Sequence, residues 1–355
     1  MVSTDVSAGS RRNRTEFASW ARVVAHGLAV LLLCTACAGV GSPVPGTPAH
    51  HRERGFANTN PEFMFPSDWT VNKFRARRLW VALVGSNTVT LPRVANDGRA
   101  LRENGVEPTV TWVGHATLLI QVDGVNVLTD PHWSERASPV SFAGPLRLVA
   151  PGLAFEDLPP IHLVLISHDH YDQLDAPTVR RLAQTHHPLF LVPLGLKAWF
   201  AKLGISEVEE LDWWQSRHVQ GLTLICLPAQ HWASRTPWDR NRRLWASWAL
   251  LGRDRRVFFS GDTGYYEGFK EIGVRLGPAT EDSTGKLEAL AHGGPCSVGC
   301  RIRLAPRSQL FFRPEEVDGR SERVRDFTLV LGSFPEPEHD ALGFRPRAVR
   351  CSREL

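Results

Sequence analysis

Apolar residues in the middle of this chain come in short runs closed by turn-forming or polar residues. Thr109 to Val113 is β-branched and apolar and ends at Gly114-His115; Thr117 to Val122 follows, and Asp123-Gly124 separates it from Val125 to Leu128. Such runs parted by turn dipeptides predict hairpins. Further along, Ile161 to Ile166 predicts a buried strand, Ala176 to Gln184 a helix, Leu189 to Val192 a strand and Leu194 to Leu203 a helix. Leu222 to Leu227 and Arg256 to Phe259 predict two more strands. Strands and helices alternating on one chain, with polar residues at strand ends, indicate an α/β layered domain.

The two ends differ from this middle. Arg11, Arg12, Arg14 and Arg22 precede an apolar run from Val23 to Cys34 and then small residues around Ala36-Cys37-Ala38, the layout of a bacterial export signal over 1–40. The run is shorter than the roughly 20 residues that span a bilayer. Thr35-Ala36-Cys37 resembles the end of a lipoprotein signal, although Cys34 stands where an aliphatic residue is usual. Three outcomes stay open: a lipidated Cys37, a cleaved soluble protein and an uncleaved anchor. The expected location is the cell envelope, lipid-anchored or membrane-associated, or the exterior. Residues 41–53 are rich in Gly, Pro and Ser and are expected to form a flexible tether. The main folded domain is expected over 54–278. All twelve tryptophans and all three tyrosines lie before position 267. The stretch 279–355 is rich in Arg, Glu, Gly and Pro and is an atypical region for which folded and disordered states both stay open.

Composition narrows the classes. Hydrophobic residues at 43% and charged ones at 22% exclude disorder throughout. A net charge of +4 from 41 basic and 37 acidic residues leaves no footprint that demands nucleic acid. Cys296 and Cys300 have a C-x3-C spacing without a second pair, so no disulfide framework or zinc ribbon follows.

Candidate chemistry sits at three strand ends. Ser167-His168-Asp169-His170-Tyr171-Asp172 leaves the run that ends at Ile166, Gln230-His231-Trp232 follows Leu227, and Gly261-Asp262 follows Phe259. A zinc site needs neutral imidazoles and a carboxylate around one ion, with a position open to water. His168 and His170 can chelate one ion, and Asp172 can reach a second beside it. An isolated H-x-H can be a mere polar turn, but three strand ends offering the same chemistry point to a metal centre. His115 is a candidate for second-layer support or substrate contact. Asp130, in Leu128-Thr129-Asp130-Pro131, is either a plain turn residue or a buried carboxylate that accepts a hydrogen bond from a ligand histidine and fixes its tautomer.

These motifs resemble the metallo-β-lactamase superfamily, and within it the N-acyl-phosphatidylethanolamine-hydrolysing phospholipases D. The superfamily's H-x-H-x-D is present as His168, His170 and Asp172. The branch is indicated by Arg54 to Pro61, Trp112 to Thr117, Leu128 to Pro131, Pro228 to Trp232, Asp239 to Arg242, Leu244 to Trp248 and Ser260 to Tyr265, in unbroken order. The resemblance implies an αββα sandwich with a two-zinc centre between the sheets. It implies that His168, His170 and His231 hold the first zinc, that Asp172 serves the second and that Asp262 bridges both. It implies attack by a metal-bound hydroxide on the phosphorus of a phospholipid or other amphiphilic phosphodiester, with Asp172 and Asp262 as the catalytic carboxylates.

Two departures modify that expectation. Where the family has a histidine after the aspartate, this chain has Gln173, whose amide is a poor zinc ligand, so one zinc instead of two is an outcome to consider. The family's last second-zinc histidine precedes a run similar to Leu331-Gly332-Ser333-Phe334-Pro335, but an apolar residue near Val330 stands there; His292 and His339 are the remaining candidates. The C-terminal strands are therefore expected to be incomplete. A metal-dependent lactonase or ester hydrolase and a catalytically impaired relative are the competing readings. Trp232 to Trp238 and Leu244 to Trp248 suit a lipid-facing cleft and a membrane surface, with core packing the competing reading for Trp245 and Trp248.

Overall fold

A computed structural model describes residues 40–60, 69, 73, 76, 96–147, 149–264 and 266–276, and the backbone of three short strands at 301–303, 309–313 and 328–330. The export-type segment 1–39, both cysteines of the C-x3-C pair, His292 and His339 lie outside the described residues.

The first sheet is built from β3 (Thr109–Gly114), β4 (Thr117–Val122), β5 (Val125–Thr129), β6 (Leu163–Leu165), β7 (Leu189–Pro193) and β8 (Val208–Leu211). β13 (Arg301–Arg303) adds to its β3 edge, giving the order β13-β3-β4-β5-β6-β7-β8. β3, β4 and β5 are antiparallel neighbours, whereas β5 to β8 run parallel. The tight β4–β5 turn is made by Asp123 and Gly124, with φ of 52° and 79°, the left-handed pair that matches the twist of a hairpin. The second sheet has the order β15-β14-β12-β11-β10-β9, from β9 (Ser216–Val219), β10 (Leu222–Leu227), β11 (Ser247–Leu251), β12 (Arg256–Phe259), β14 (Gln309–Arg313) and β15 (Thr328–Val330).

Alternation along the strands distributes side chains into three apolar layers. Between the sheets, Leu118, Ile120, Leu163, Leu165 and Leu191 meet Leu222, Leu224, Trp248, Val257 and Phe259. The opposite face of the first sheet, with Leu119, Val164 and Phe190, is covered by α2 (Ala176–Thr185) and α3 (Lys197–Lys202) through Val179, Leu182 and Phe200; the short α1 (Arg99–Arg102) adds Leu101. The outer face of the second sheet, with Ala249 and Phe258, takes Ile272 from α4 (Gly268–Leu276). The result is the αββα sandwich. β4 is buried along its whole length because both of its faces are covered. Trp245 and Trp248 are 1% and 0% exposed, so core packing is their role, whereas Trp238 is 64% exposed.

One expectation is corrected. The segment 41–53 is packed, not a tether: β1 (His51–Arg52) pairs with β2 (Gly55–Phe56), Pro43 bridges to Arg52, and His50 and His51 bind Asp212. Glycine and proline content limits the core a segment can build by itself, but says nothing of the surface it can lie on. Within 279–355 the described backbone pairs with both sheets, β14 parallel to β12 and β13 antiparallel to β3, and the other residues of that stretch lie outside the described ones. β8, β9 and α4 are not evident in the apolar pattern: β8 and β9 carry charged residues on partly exposed positions. Among the described residues no helix is long and apolar enough to cross a membrane.

Candidate metal centre

Because β5 and β6 are parallel, Asp130 and Ser167 emerge side by side at one edge of the first sheet. Asp130 N donates to Leu165 O at 2.9 Å. Its carboxylate accepts from Ser167 N at 2.7 Å and from Ser167 Oγ at 2.5 Å. Ser167 Oγ lies 2.8 Å from His168 Nδ1. With its own proton on Asp130, the hydroxyl accepts from Nδ1, which leaves His168 Nε2 as a lone pair facing the cleft. The orienting carboxylate foreseen at Asp130 thus reaches the histidine through Ser167 rather than directly. Burial pushes the Asp130 carboxyl well up despite both bonds from Ser167.

The second sheet delivers the other donors: β10 ends at Leu227 ahead of His231, and β12 ends at Phe259 ahead of Asp262. Gly261 has φ of 55°, and a Cβ there would stand 2.6 Å from Ser167 Cβ. Glycine at this point lets the Asp262 turn close onto the His168 loop.

His168, His170, His231 and Asp262 each present a donor atom within 4.8 Å of the others. His168 Nε2 lies 2.8 Å from His170 Nδ1, His231 Nε2 lies 3.3 Å from His170 Nδ1, and His168 Nε2 lies 3.9 Å from Asp262 Oδ2. Burial, together with the neighbouring imidazoles, holds His168 well below the usual histidine range and His231 at about 3. Burial likewise lowers His170, whose Nε2 is buried without a hydrogen-bond partner. Burial and then the charge of Asp172 push Asp262 up to about 7. Neutral imidazoles crowded around a carboxylate that resists ionising form a donor set suited to a divalent cation.

Asp172 stands apart from these four. Its Oδ2 lies 3.2 Å from His115 Nε2. Burial raises its carboxyl, but the hydrogen bond and charge of His115 outweigh this and bring it to about 2. Desolvation lowers His115, and Asp172 and Asp262 more than reverse that, so its value is raised. Gln173 is fully buried between them: Nε2 donates to Asp262 Oδ2 at 2.9 Å and lies 3.1 Å from His115 Nε2, while Oε1 has no partner.

Several supporting residues escape a reading of the sequence. Arg243 Nη1 holds the buried Asp169 carboxylate at 2.7 Å and Asp239 at 2.8 Å. Arg235 Nη1 donates to the carbonyls of Asp169 and Leu174, each at 2.8 Å, bracing the 168–174 loop. Asn58 Nδ2 donates to His231 O at 2.8 Å and Asn58 Oδ1 accepts from His231 N at 3.1 Å, gripping the backbone of a donor residue from both sides. Arg235 falls within the Trp232 to Trp238 run read as lipid-facing and Asn58 within the Arg54 to Pro61 run that carries the resemblance, but neither run shows what these side chains hold.

A domain described as Beta-lactamase superfamily domain matches residues 125–281. A protein of Mycobacterium tuberculosis described as uncharacterized is 40% identical over 234 residues, covering 64% of this chain and 62% of its own length. The N-acyl-phosphatidylethanolamine-hydrolyzing phospholipase D 1 of Caenorhabditis elegans is 46% identical over 179 residues, 47% of this chain and 50% of that one. A UPF0173 metal-dependent hydrolase of Methanopyrus kandleri is 30% identical over 249 residues, 66% of this chain and 89% of that one. The chain thus spans less than two thirds of the length of the mycobacterial and nematode relatives.

Proposed function

Since the chain belongs to the metallo-β-lactamase superfamily, we propose that it is a zinc-dependent hydrolase, a phosphodiesterase of phospholipase D type acting on N-acyl-phosphatidylethanolamine-like lipids. The observation that carries the reading is the convergence of His168, His170, His231 and Asp262 where the ends of both sheets meet. Zinc bound there would supply a Lewis acid and an acidified water at neutral pH. His168, His170 and His231 would hold it through neutral nitrogens, with Asp262 giving up its proton to join them. Ser167 and Asp130 keep the His168 tautomer fixed. His115 Nε2, protonated against Asp172, is positioned at the rim to give a proton to the leaving oxygen. The resemblance to the nematode phospholipase D supports a lipid phosphodiester as substrate.

Exposed Phe142 at 82%, Leu146 at 56% and Val140 at 39% lie on one surface loop and support contact with a membrane surface. Export with a lipid anchor at Cys37 belongs to the same proposal and rests on the sequence of residues 1–40.

A catalytically impaired relative is the second reading, favoured by Gln173, whose amide bonds Asp262 where the family's resemblance implies a second ion. The deciding experiment is elemental analysis of metal per chain beside turnover on a phosphodiester and a lactone. Zinc together with phosphodiester hydrolysis that Asp262→Ala abolishes supports the proposal. Preference for the lactone replaces the substrate, and metal binding without any turnover leaves the impaired relative.

A further inference from the structure

We infer that His50, His51 and Asp212 form a second metal site, one that fastens the N-terminal hairpin to the domain and shares no residue with the four-donor centre. His50 Nε2 lies 2.6 Å from Asp212 Oδ1 and His51 Nε2 lies 2.7 Å from Asp212 Oδ2. The three residues' donor atoms fall within 4.8 Å of one another. Two imidazoles and a carboxylate are a known zinc triad, with a fourth place for water.

The cluster is held ready by its surroundings. Asp212 Oδ1 also accepts from Trp213 N at 2.8 Å, and Asp212 N donates to Gln215 Oε1 at 2.8 Å. The His50 ring stacks on Trp213 at 4.1 Å, and His51 meets Phe56 edge-on at 5.2 Å. His50 and Asp212 are 4% and 8% exposed. The His51 side chain keeps 24% of its surface open, giving an ion a way in and a water a place to sit. Packing around the rings and backbone bonds to the carboxylate keep the three donors together, so an ion that replaces the hydrogen-bonded protons needs only a small opening of the 2.6 and 2.7 Å contacts.

A site here also has mechanical work to do. β1 and β2 have two residues each, too few for a hairpin that stands alone. The donors come from segments 162 and 161 residues apart. An ion that binds only when both segments are docked stabilises the docked state by mass action. Plain hydrogen bonds from two imidazoles to one carboxylate would give similar contacts, and metal content separates the two cases.

The test uses the full chain and zinc alone. In the variant His168→Ala/His170→Ala, which dismantles the four-donor centre, elemental analysis after dialysis should still find one zinc per chain. Adding His51→Ala, at the open side of the cluster, should remove it, as should adding Asp212→Asn. Cobalt substituted for zinc in the two-alanine background should show visible absorption bands that His51→Ala abolishes, an assay that works even if Asp212→Asn fails to fold. No zinc in the two-alanine variant, or a retained ion that is indifferent to His51→Ala, overturns the inference. Because the catalytic ligands are absent throughout, either result is independent of the proposed hydrolysis.

Discussion

Gln173 occupies the position where an imidazole is expected, and it does so with its amide proton on Asp262 and its oxygen unpartnered. An imidazole there could offer a lone pair where the amide now offers N–H. Gln173→His should therefore raise the metal content by about one ion per chain, read by elemental analysis; unchanged content would mean that this position is not what limits the second site. Asp262 sets the pH response. Its value, pushed up to about 7 by burial and then by Asp172, means that the group must lose a proton to bind a cation. Zinc affinity should be flat above pH 7 and fall as the pH drops through it, by about tenfold per unit. The histidines do not compete for protons in that window, because their values lie below the usual range. Competition titrations against a chelator from pH 5.5 to 8.5 would show the slope, and Asp262→Asn should remove it. The four converging donors, His168, His170, His231 and Asp262, are legible in the sequence because each follows an apolar strand. Ser167 as the link between Asp130 and His168 is not, since a serine hydroxyl gives no hint of its partner.

Elements explain what spacing could not. The strand-end histidines are legible because a buried strand leaves a periodic trace, whereas the residues that steady them arrive from remote segments. Asn58 is the clearest case, with its donor and acceptor both spent on the His231 backbone and Trp245 Nε1 also 3.2 Å from its Oδ1. Replacing it frees the strand-end turn without touching a ligand. Asn58→Ala should weaken zinc binding about 10–100-fold, measured by chelator competition, and Asn58→Asp, which keeps the acceptor, should lose less. Equal affinity in all three proteins would show that the turn is held by its own strand. The inner strands of both sheets, by contrast, are legible in the apolar pattern apart from β11, which lies within an aromatic run, and β14, which lies in the weakly periodic tail. The edges are not, because an edge strand such as β9 needs only one apolar face and here carries Ser216, Arg217 and His218 exposed.

At the scale of the whole molecule, the sandwich covers its apolar layers well, which makes the few exposed apolar side chains among the described residues informative. Val140, Phe142 and Leu146 sit on the loop that leads to Arg147, whose guanidinium bonds His132 on the active-site side of the first sheet. Phe142→Ser should lower sedimentation with phospholipid vesicles while leaving turnover of a short-chain soluble phosphodiester unchanged. Loss of both activities together would place the loop in the folded core of the reaction instead. Long-range pairing also has a consequence in the order of synthesis. His50 and His51 are made 162 and 161 positions ahead of Asp212, and His170 leaves the ribosome 61 positions before His231. A growing chain therefore offers passing metal only a two-histidine chelate for the interval between them. The hairpin that carries His50 and His51 can be fastened only after Asp212 has been made, and the four converging donors are complete only with Asp262.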